Sequence, residues 1–175
     1  GMHIAFHLEP YPGRSVTSVR ADVEYLTRKY GDSKALLRGT GGRPVYFVYD
    51  SYHIAPEDWA TLLTPRRDGA HGSTAAESVS VRGTPLDGVF IGLWLTGSDG
   101  APLETGGFDG GYTYFASPST SHGADPRNWR DLSQEAAARG LMFIPSVAPG
   151  YNDTKIRPWN SRATRGREGG EAYAR

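Results

Sequence analysis

The acidic side chains that could do chemistry in this chain lie beside short apolar runs. Glu9 and Asp50 each follow such a run, and Asp109 precedes another. A glycosidase commonly needs two carboxyl groups across one glycosidic bond, so Glu9 and Asp50 are candidates for such a pair. The alternative is that they are ion-paired or ligand-orienting groups at the rim of a sheet. The residues alone favour this second interpretation.

The stretch from Leu141 to Asn160 joins a short apolar run to a proline-rich loop. Its first four residues, Leu141–Ile144, predict a buried strand. The loop that follows carries aromatic, acidic and basic side chains, which are Tyr151, Asp153, Arg157 and Trp159. Function concentrates on loops held by a rigid scaffold. The simpler interpretation is a rigid connection in which Asp153 pairs with Arg157, and both interpretations stay open.

The composition argues against several other functions. Lys plus Arg and Asp plus Glu both number 19, so no net charge attracts the chain to nucleic acid or to an acidic membrane. There is no cysteine, and His3 and His7 lie four residues apart on a predicted strand, where that spacing does not converge on a metal. No apolar run reaches about 18 residues, and no glycine-rich phosphate loop is present. We therefore expect no metal, no cofactor and no nucleic-acid partner.

Strands and helices alternate along the chain and must position these groups. Strands are predicted at residues 3–7, 44–49, 89–95, 112–115 and 141–144, and helices at 15–30, 56–63 and 129–139. This alternation predicts an α/β fold with a parallel sheet. Polar residues gather just after the strands, as in (β/α)8 barrels. A doubly wound open sheet is the alternative architecture. Residues 66–82 are polar without periodicity and predict a mobile surface loop.

Four long motifs carry a resemblance to a known family. They are His7–Arg14 (HLEPYPGR), Tyr49–Tyr52 (YDSY), Gly107–Ser117 (GFDGGYTYFAS), and the pair PSVAPGY and IRPWN between residues 145 and 160. In order and approximate spacing they resemble the endo-α-1,2-mannosidases of glycoside hydrolase family 99, especially the animal Golgi enzymes and their close paralogues. The resemblance covers nearly the whole chain. Ala148 departs from it, because the family usually has glycine there.

The resemblance implies a (β/α)8 TIM barrel of which residues 1–175 are the middle part of one domain. It implies cleavage inside a glucosylated high-mannose N-glycan, at the α-1,2 bond between the glucose-substituted mannose and the next mannose. The family retains anomeric configuration. One glutamate acts as base on the sugar's own 2-hydroxyl, which forms a 1,2-anhydro sugar, while a second glutamate is the general acid. No metal is required.

The resemblance also assigns roles to residues of this chain. Tyr114 matches a tyrosine that lines the cleavage subsite, Arg157 a residue that reaches the leaving-group mannose, and Glu9 a glutamate near the non-reducing sugar. These roles suit a carboxylate that accepts and a guanidinium that donates hydrogen bonds. The other substrate-binding candidates lie at the rim or support it, and they are Asp50, Tyr52, Tyr151, Asp153 and Trp159, with Tyr49 beside them.

Several parts of the family pattern are expected outside this chain. The two catalytic glutamates belong to a Glu-Trp-His-Glu motif expected downstream of Arg175, and an early strand and the Golgi membrane anchor are expected upstream of Gly1. The abrupt start and the polar tail also indicate a fragment. We therefore expect a full-length hydrolase in the Golgi lumen and no activity from this chain alone. The alternatives are a non-catalytic isoform or paralogue that at most binds mannosides, and an unrelated open α/β domain.

Overall fold

Five strands and four α-helices form the part of the chain that the structure describes. The computed structural model describes residues 1–65, 79–114, 121–148, 152, 154–159 and 166–171. The strands are β1 (Phe6–Leu8), β2 (Val45–Val48), β3 (Val89–Leu93), β4 (Gly110–Tyr112) and β5 (Met142–Ile144). The helices are α1 (Val16–Tyr30), α2 (Pro56–Leu63), α3 (Gly100–Thr105) and α4 (Trp129–Ala138). Among these residues, no helix is long and apolar enough to cross a membrane.

The strands form one parallel sheet whose order follows the chain, β1-β2-β3-β4-β5. Phe6 lies opposite Tyr46, and at the other side of the sheet Gly110 lies opposite Met142. A doubly wound sheet reverses its strand order at a switch point, and this sheet does not, so that alternative is wrong. The α/β class and the parallel sheet are confirmed.

The two faces of the sheet pack differently. On the outer face, buried side chains of the strands join those of the helices in one cluster, including Tyr46, Phe90, Trp59 and Val23. On the inner face, a second cluster holds residues of the strands and their extensions, including Ile91 and Tyr112. Because right-handed crossovers in a single direction leave every helix on the same side, the strand order explains this asymmetry.

Helix α1 shows how local sequence signals place an element. Ser15 caps its start, since the Ser15 hydroxyl accepts from the Ser18 N–H and the Ser18 hydroxyl accepts from the Ser15 N–H. Val19 and Val23 are buried, and each contributes roughly 1.5–3 kcal/mol through burial. Gly31 ends the helix. The predicted boundaries of α2 are confirmed, as are those of α1 and α4 to within one residue.

Strand β4 begins earlier than the sequence predicts. The glycine-rich segment read as a turn provides Gly110 and Gly111 as strand residues, so the predicted start at Tyr112 is wrong. A Cβ atom on Gly111 would lie 2.5 Å from Trp94, and one on Gly110 would lie 2.6 Å from the Met142 carbonyl oxygen. Glycine is therefore required by close packing, not by a turn. The short helix α3 was not predicted.

The predicted mobile loop ends in well-packed structure. Residues 66–78 lie outside the described part of the chain, but Ser80 and Val81 are buried. The Arg82 side chain is 9% exposed. It donates hydrogen bonds to the Leu63, Gly88 and Gly107 carbonyl oxygens and to Asp87 and Asp109. A surface loop is thus the wrong description of residues 80–82.

Candidate functional site

Five side chains meet where β1, β2 and β4 end at the carboxyl-terminal edge of the sheet. We call them the strand-end cluster, and they are His7, Glu9, Tyr49, Tyr112 and Tyr114. His7 lies opposite Phe47, and Tyr112 lies opposite Leu93. Because side chains alternate along a strand, these residues share the inner face of the sheet. The parallel strands bring their carboxyl ends to one edge, and so they assemble groups that are far apart in sequence.

A chain of hydrogen bonds runs through this cluster. The His7 Nδ1 atom lies 2.7 Å from the Glu9 Oε1 atom, and the His7 Nε2 atom lies 2.7 Å from the Tyr112 hydroxyl oxygen. Tyr112 is 5% exposed, whereas the Glu9 side chain is 65% exposed. His7 therefore connects the buried hydroxyl group of Tyr112 to the solvent-exposed carboxylate of Glu9.

Aromatic rings pack around this hydrogen-bonded chain. The Tyr49 ring centroid lies 4.9 Å from that of Tyr114 and 5.3 Å from that of His7. Phe47 meets the Tyr112 ring edge-on at 5.3 Å. Tyr114 remains partly exposed. The cluster thus offers ring faces and hydroxyl groups together, and both suit a sugar.

Two tyrosines of the cluster, Tyr49 and Tyr112, stay protonated far above neutral pH. Burial raises the pKa of Tyr49 to about 12, and the neighbouring Tyr114 and Asp50 add to this effect. Burial also raises the pKa of Tyr112 well above its ordinary value, with smaller contributions from Tyr49 and Glu9. Their hydroxyl groups are therefore neutral donors at any physiological pH.

The backbone of the loop after β2 is held by hydrogen bonds from Arg14. The Arg14 guanidinium donates to the Tyr49 carbonyl oxygen at 2.7 Å and to that of Asp50. Asp50 has φ of 47°, the left-handed region, which is uncommon for a residue other than glycine. Burial lowers the pKa of Arg14, while the charge of Asp50 opposes this. The loop conformation thus depends on a cation from the loop after β1.

The structure does not bring Glu9 and Asp50 together as a bonded pair. The Glu9 carboxylate pairs with His7, and the Asp50 carboxylate lies 3.8 Å from the His53 Nε2 atom. The pKa of Tyr52 is raised by burial, and the neighbouring Asp50 adds to this effect. Their partners agree with the rim interpretation of these two carboxylates.

Asp109 lies at the opposite edge of the sheet. Its Oδ2 atom accepts from the Phe90 N–H and from Arg82, both at 2.8 Å, and its Oδ1 atom lies 3.4 Å from Arg43. This amino-terminal edge is where barrel folds place stability and not catalysis. Asp109 is therefore a structural residue.

The structure does not connect the predicted site residues of the loop after β5 to the strand-end cluster. Arg157 and Trp159 are exposed, and neither bonds to the cluster among the described residues. Tyr151 and Asp153 lie outside the described residues, and so does the predicted pairing of Asp153 with Arg157. Their site roles remain predictions.

Two members of the cluster were not singled out from the sequence. The sequence suggests His7 only as a metal ligand to be rejected and as part of a motif, and Tyr112 only as part of a motif. The signal that finds them is strand alternation, since it places His7 on the same face as Ala5. Within the described residues, no three His, Asp or Glu side chains are grouped so that they could hold a metal ion.

Two cavities lie close to these groups. One of about 280 Å³ lies between β1 and α1, and its lining includes Glu9, Tyr11 and Asp22. The other, of about 220 Å³, lies between α2 and α3 under Tyr52, and its lining is mostly apolar, including Trp59. The first cavity offers polar groups of the kind that bind hydroxyls, whereas the second is an extension of the outer core.

Comparison with known proteins gives consistent matches over the whole chain. Residues 1–175 match the sequence model of glycosyl hydrolase family 99. The chain is 43% identical to the human glycoprotein endo-alpha-1,2-mannosidase-like protein and 41% identical to mouse glycoprotein endo-alpha-1,2-mannosidase. Each alignment covers 98% of this chain and 36% of the relative. The chain thus spans about a third of the length of these curated relatives.

Solved structures show the same relation. The GH99 endo-alpha-mannosidase from Bacteroides thetaiotaomicron in complex with bis-tris-propane superposes with a TM-score of 0.85 at 45% identity. That match covers 98% of this chain and 50% of the other. A second structure of the enzyme gives a TM-score of 0.84. The five-stranded sheet therefore corresponds to about half of such an enzyme.

Proposed function

The chain belongs to glycosyl hydrolase family 99, and from this premise we propose that it is part of a retaining endo-α-1,2-mannosidase. The family resemblance in the motifs is confirmed, and the interpretation as an unrelated open α/β domain is wrong. The expected TIM-barrel fold class is also confirmed. We further propose that residues 1–175 are one partial barrel domain, and that its full-length form cleaves glucosylated high-mannose N-glycans.

The observation that carries the proposal is the strand-end cluster. It combines neutral tyrosine hydroxyls, an exposed carboxylate and ring faces at the edge where barrel enzymes bind substrate. Sugar hydroxyls both donate and accept, so they need a carboxylate acceptor and neutral donors in the same place. This donor and acceptor set fits a glycan better than it fits an anion or a metal.

The residues of this chain bind and orient the glycan in the proposed reaction. Glu9 accepts from hydroxyls near the non-reducing sugar, Tyr114 lines the cleavage subsite, and Arg157 donates to the leaving-group mannose. Other residues line or support the rim, namely Asp50, Tyr52, Tyr151, Asp153 and Trp159. These roles rest on the family motifs and on the exposure of Glu9, Tyr52, Arg157 and Trp159.

The bond changes are proposed to use two glutamates supplied from beyond residue 175. One removes the proton of the sugar's 2-hydroxyl as its oxygen attacks the anomeric carbon, and the other protonates the departing glycosidic oxygen. Water then opens the 1,2-anhydro sugar, with the same two groups in reversed roles. Two successive displacements at the anomeric carbon give net retention of configuration.

Hydrolysis of a glucosyl-α-1,3-mannosyl-α-1,2-mannoside tests the proposal. We expect the full-length protein to release glucosyl-mannose and residues 1–175 alone to release none. Release by the short chain would contradict the placement of the acid and base, and would return attention to Glu9 and Asp50. No release by either protein would support the non-catalytic alternative.

A matched pair of variants tests the part that this chain contributes. Glu9→Gln in the full-length protein removes the charge at the strand-end cluster, whereas Glu24→Gln removes one from the exposed surface of α1. We expect roughly a tenfold loss of kcat/KM from Glu9→Gln, since hydrogen bonds to a charged group contribute about 1.5–3 kcal/mol, and no loss from Glu24→Gln. Equal activity of both variants would contradict the sugar-binding role of Glu9.

The compartment is a further part of the proposal. The names of the animal relatives indicate glycoprotein processing, and the resemblance to animal members implies the Golgi lumen and a membrane anchor outside this chain. Co-localisation of a tagged full-length protein with a Golgi marker in animal cells is the expected result. A diffuse cytosolic signal would contradict it.

A further inference from the structure

We infer that His7 is a positioning residue that holds the Glu9 carboxylate toward the bound sugar, with the buried Tyr112 hydroxyl fixing the imidazole. The inference rests on the proposed function, because it requires that Glu9 contact a sugar. It adds a role for two residues that bear no part in the site expected from the motifs. The observation behind it is the short, unbroken bond path from Tyr112 through His7 to Glu9.

The rigid end of this path is Tyr112. It lies in β4, which has β3 on one side and β5 on the other, and its ring meets Phe47 edge-on. With 5% of its surface exposed, the Tyr112 side chain is held in one position by packing. Its hydroxyl oxygen is therefore a fixed point against which the His7 ring is oriented.

The chemistry of the three groups selects one tautomer of His7. An ionised carboxylate only accepts hydrogen bonds, so the Nδ1 atom must carry the proton that is donated to Glu9. Tyr112 keeps its own proton, because burial raises its pKa. The Tyr112 hydroxyl then donates to the unprotonated Nε2 atom. In a neutral imidazole one nitrogen donates and the other accepts, and this arrangement uses both.

The free end of the path is where a ligand can be bound. The Glu9 Oε1 atom accepts from His7, while the Oε2 atom has no partner among the described residues. An exposed contact such as this one contributes little to stability. The consequence of the His7 contact is therefore to restrict the rotamers of an exposed glutamate, so that less conformational entropy is lost when a sugar binds.

Two substitutions of His7 separate its two contacts. In His7→Asn the side-chain amide lies near the position of Nδ1, which retains a donor for Glu9 and removes the bond to Tyr112. In His7→Gln the amide reaches toward Nε2 and Tyr112, and the donor to Glu9 is lost. If His7 positions Glu9, His7→Gln in the full-length protein should raise KM roughly tenfold with little change in kcat, and His7→Asn should raise it less.

Combination with Glu9→Gln gives the decisive test. Once the Glu9 charge is absent, His7→Gln should cause no further rise in KM, because its effect acts through that carboxylate. Independent, additive effects would overturn the inference, and so would equal losses from His7→Asn and His7→Gln accompanied by a lower midpoint of urea unfolding. A rise in KM from Glu9→Gln with none from His7→Gln would overturn the role of His7 alone. No effect of Glu9→Gln would instead remove the proposed role of Glu9.

Tyr112→Phe provides a second variant that keeps the packed ring. It removes only the hydroxyl that fixes His7, and we expect KM to rise by a smaller factor than in His7→Gln. In the His7→Gln background, Tyr112→Phe should cause no further rise in KM, since the contact with Glu9 through which the hydroxyl acts is already lost. An unchanged KM for Tyr112→Phe in the otherwise wild-type protein would overturn the part of the inference in which Tyr112 fixes the tautomer and orientation of His7.

Discussion

The two edges of the sheet use similar charged and polar residues in opposite ways. At the amino-terminal edge, Arg43, Arg82, Asp87 and Asp109 form what we call the arginine–aspartate cluster. Both oxygens of Asp109 have partners there, and so do both oxygens of Asp87. At the carboxyl-terminal edge, the Glu9 carboxylate has a described partner on one oxygen only. One edge is saturated by the chain itself, while the other retains capacity for a ligand.

The difference shows how one scaffold separates stability from binding. A buried ion pair is costly to break, because the remaining partner becomes an uncompensated charge, and so the arginine–aspartate cluster can serve only the fold. An exposed carboxylate costs little in stability and can change partners freely. Residues of the same type thus acquire different roles from their burial and from the number of partners that the chain supplies.

The largest effect is expected from Arg82→Met. This change leaves Asp87 and Asp109 without their main cation, and we expect the free energy of unfolding to fall by about 3–5 kcal/mol. Urea unfolding followed by tryptophan fluorescence measures it. The control is Arg20→Met, which breaks the surface pair of Arg20 with Glu24 on α1 and should cost less than about 1 kcal/mol. Similar losses from the two variants would remove the contrast between the edges.

The two edges should also respond to opposite extremes of pH. Burial tends to raise the pKa of Asp87, but hydrogen bonds from the Gly83 N–H and from Arg82 outweigh burial and lower it. The folded chain therefore binds that proton less tightly than the unfolded chain, and stability falls as the pH drops below about 4. Asp87→Asn should reduce this loss of unfolding free energy at low pH, as measured by urea unfolding at a series of pH values.

Tyr49, at the carboxyl-terminal edge, contributes to a loss of stability at alkaline pH. The pKa of Tyr49 is raised to about 12, so the folded chain holds this proton more tightly than the unfolded chain. The free energy of unfolding should then fall as the pH rises from about 10 toward 12. Tyr49→Phe should reduce this fall in unfolding free energy at high pH and should leave the fall at low pH unchanged. Tyrosinate absorbance titrating entirely near pH 10 in the folded protein would contradict the expectation.

A smaller effect is expected at Asp50, where the backbone is left-handed. Asp50→Ala and Asp50→Gly both remove the carboxylate, but only alanine places a Cβ atom in this conformation. We expect Asp50→Ala to be about 1 kcal/mol less stable than Asp50→Gly by urea unfolding. If alanine were equally stable, the Arg14 contacts with this loop would not be holding a strained residue.

The smallest change in stability is expected from Glu9→Gln. The glutamine can still accept from His7, and the Glu9 side chain is 65% exposed, so the free energy of unfolding should change by less than about 0.5 kcal/mol. A fall comparable with that of Arg82→Met would show that the two edges do not differ. Retained stability together with a raised KM would sharpen the comparison.

Much of the fold follows from local patterns in the sequence. The apolar stripe of α1 and the Ser15 cap locate that helix, and alternation along β1 sorts Phe6 and Ala5 onto opposite faces. Strand β4 was misplaced because its glycines are dictated by Trp94 and Met142, which are distant in sequence. Local patterns carry no information about such contacts.

The candidate site was predictable only in part, for the same reason. Glu9 and Asp50 follow strands, and that placement is visible in the sequence. The role of His7 as a link depends on Tyr112, which is brought next to it only when β1, β2, β3 and β4 pair in order. The burial of Arg82 was hidden likewise, because its partners come from three separate segments.

The consecutive strand order affects when the protein can fold. Each strand after the first pairs with the strand synthesised just before it, from Phe6 opposite Tyr46 to Gly110 opposite Met142. A ribosome adds roughly 5–20 residues per second, so each new strand leaves it only seconds after its partner. The five described strands can therefore join the sheet one after another in the direction of translation.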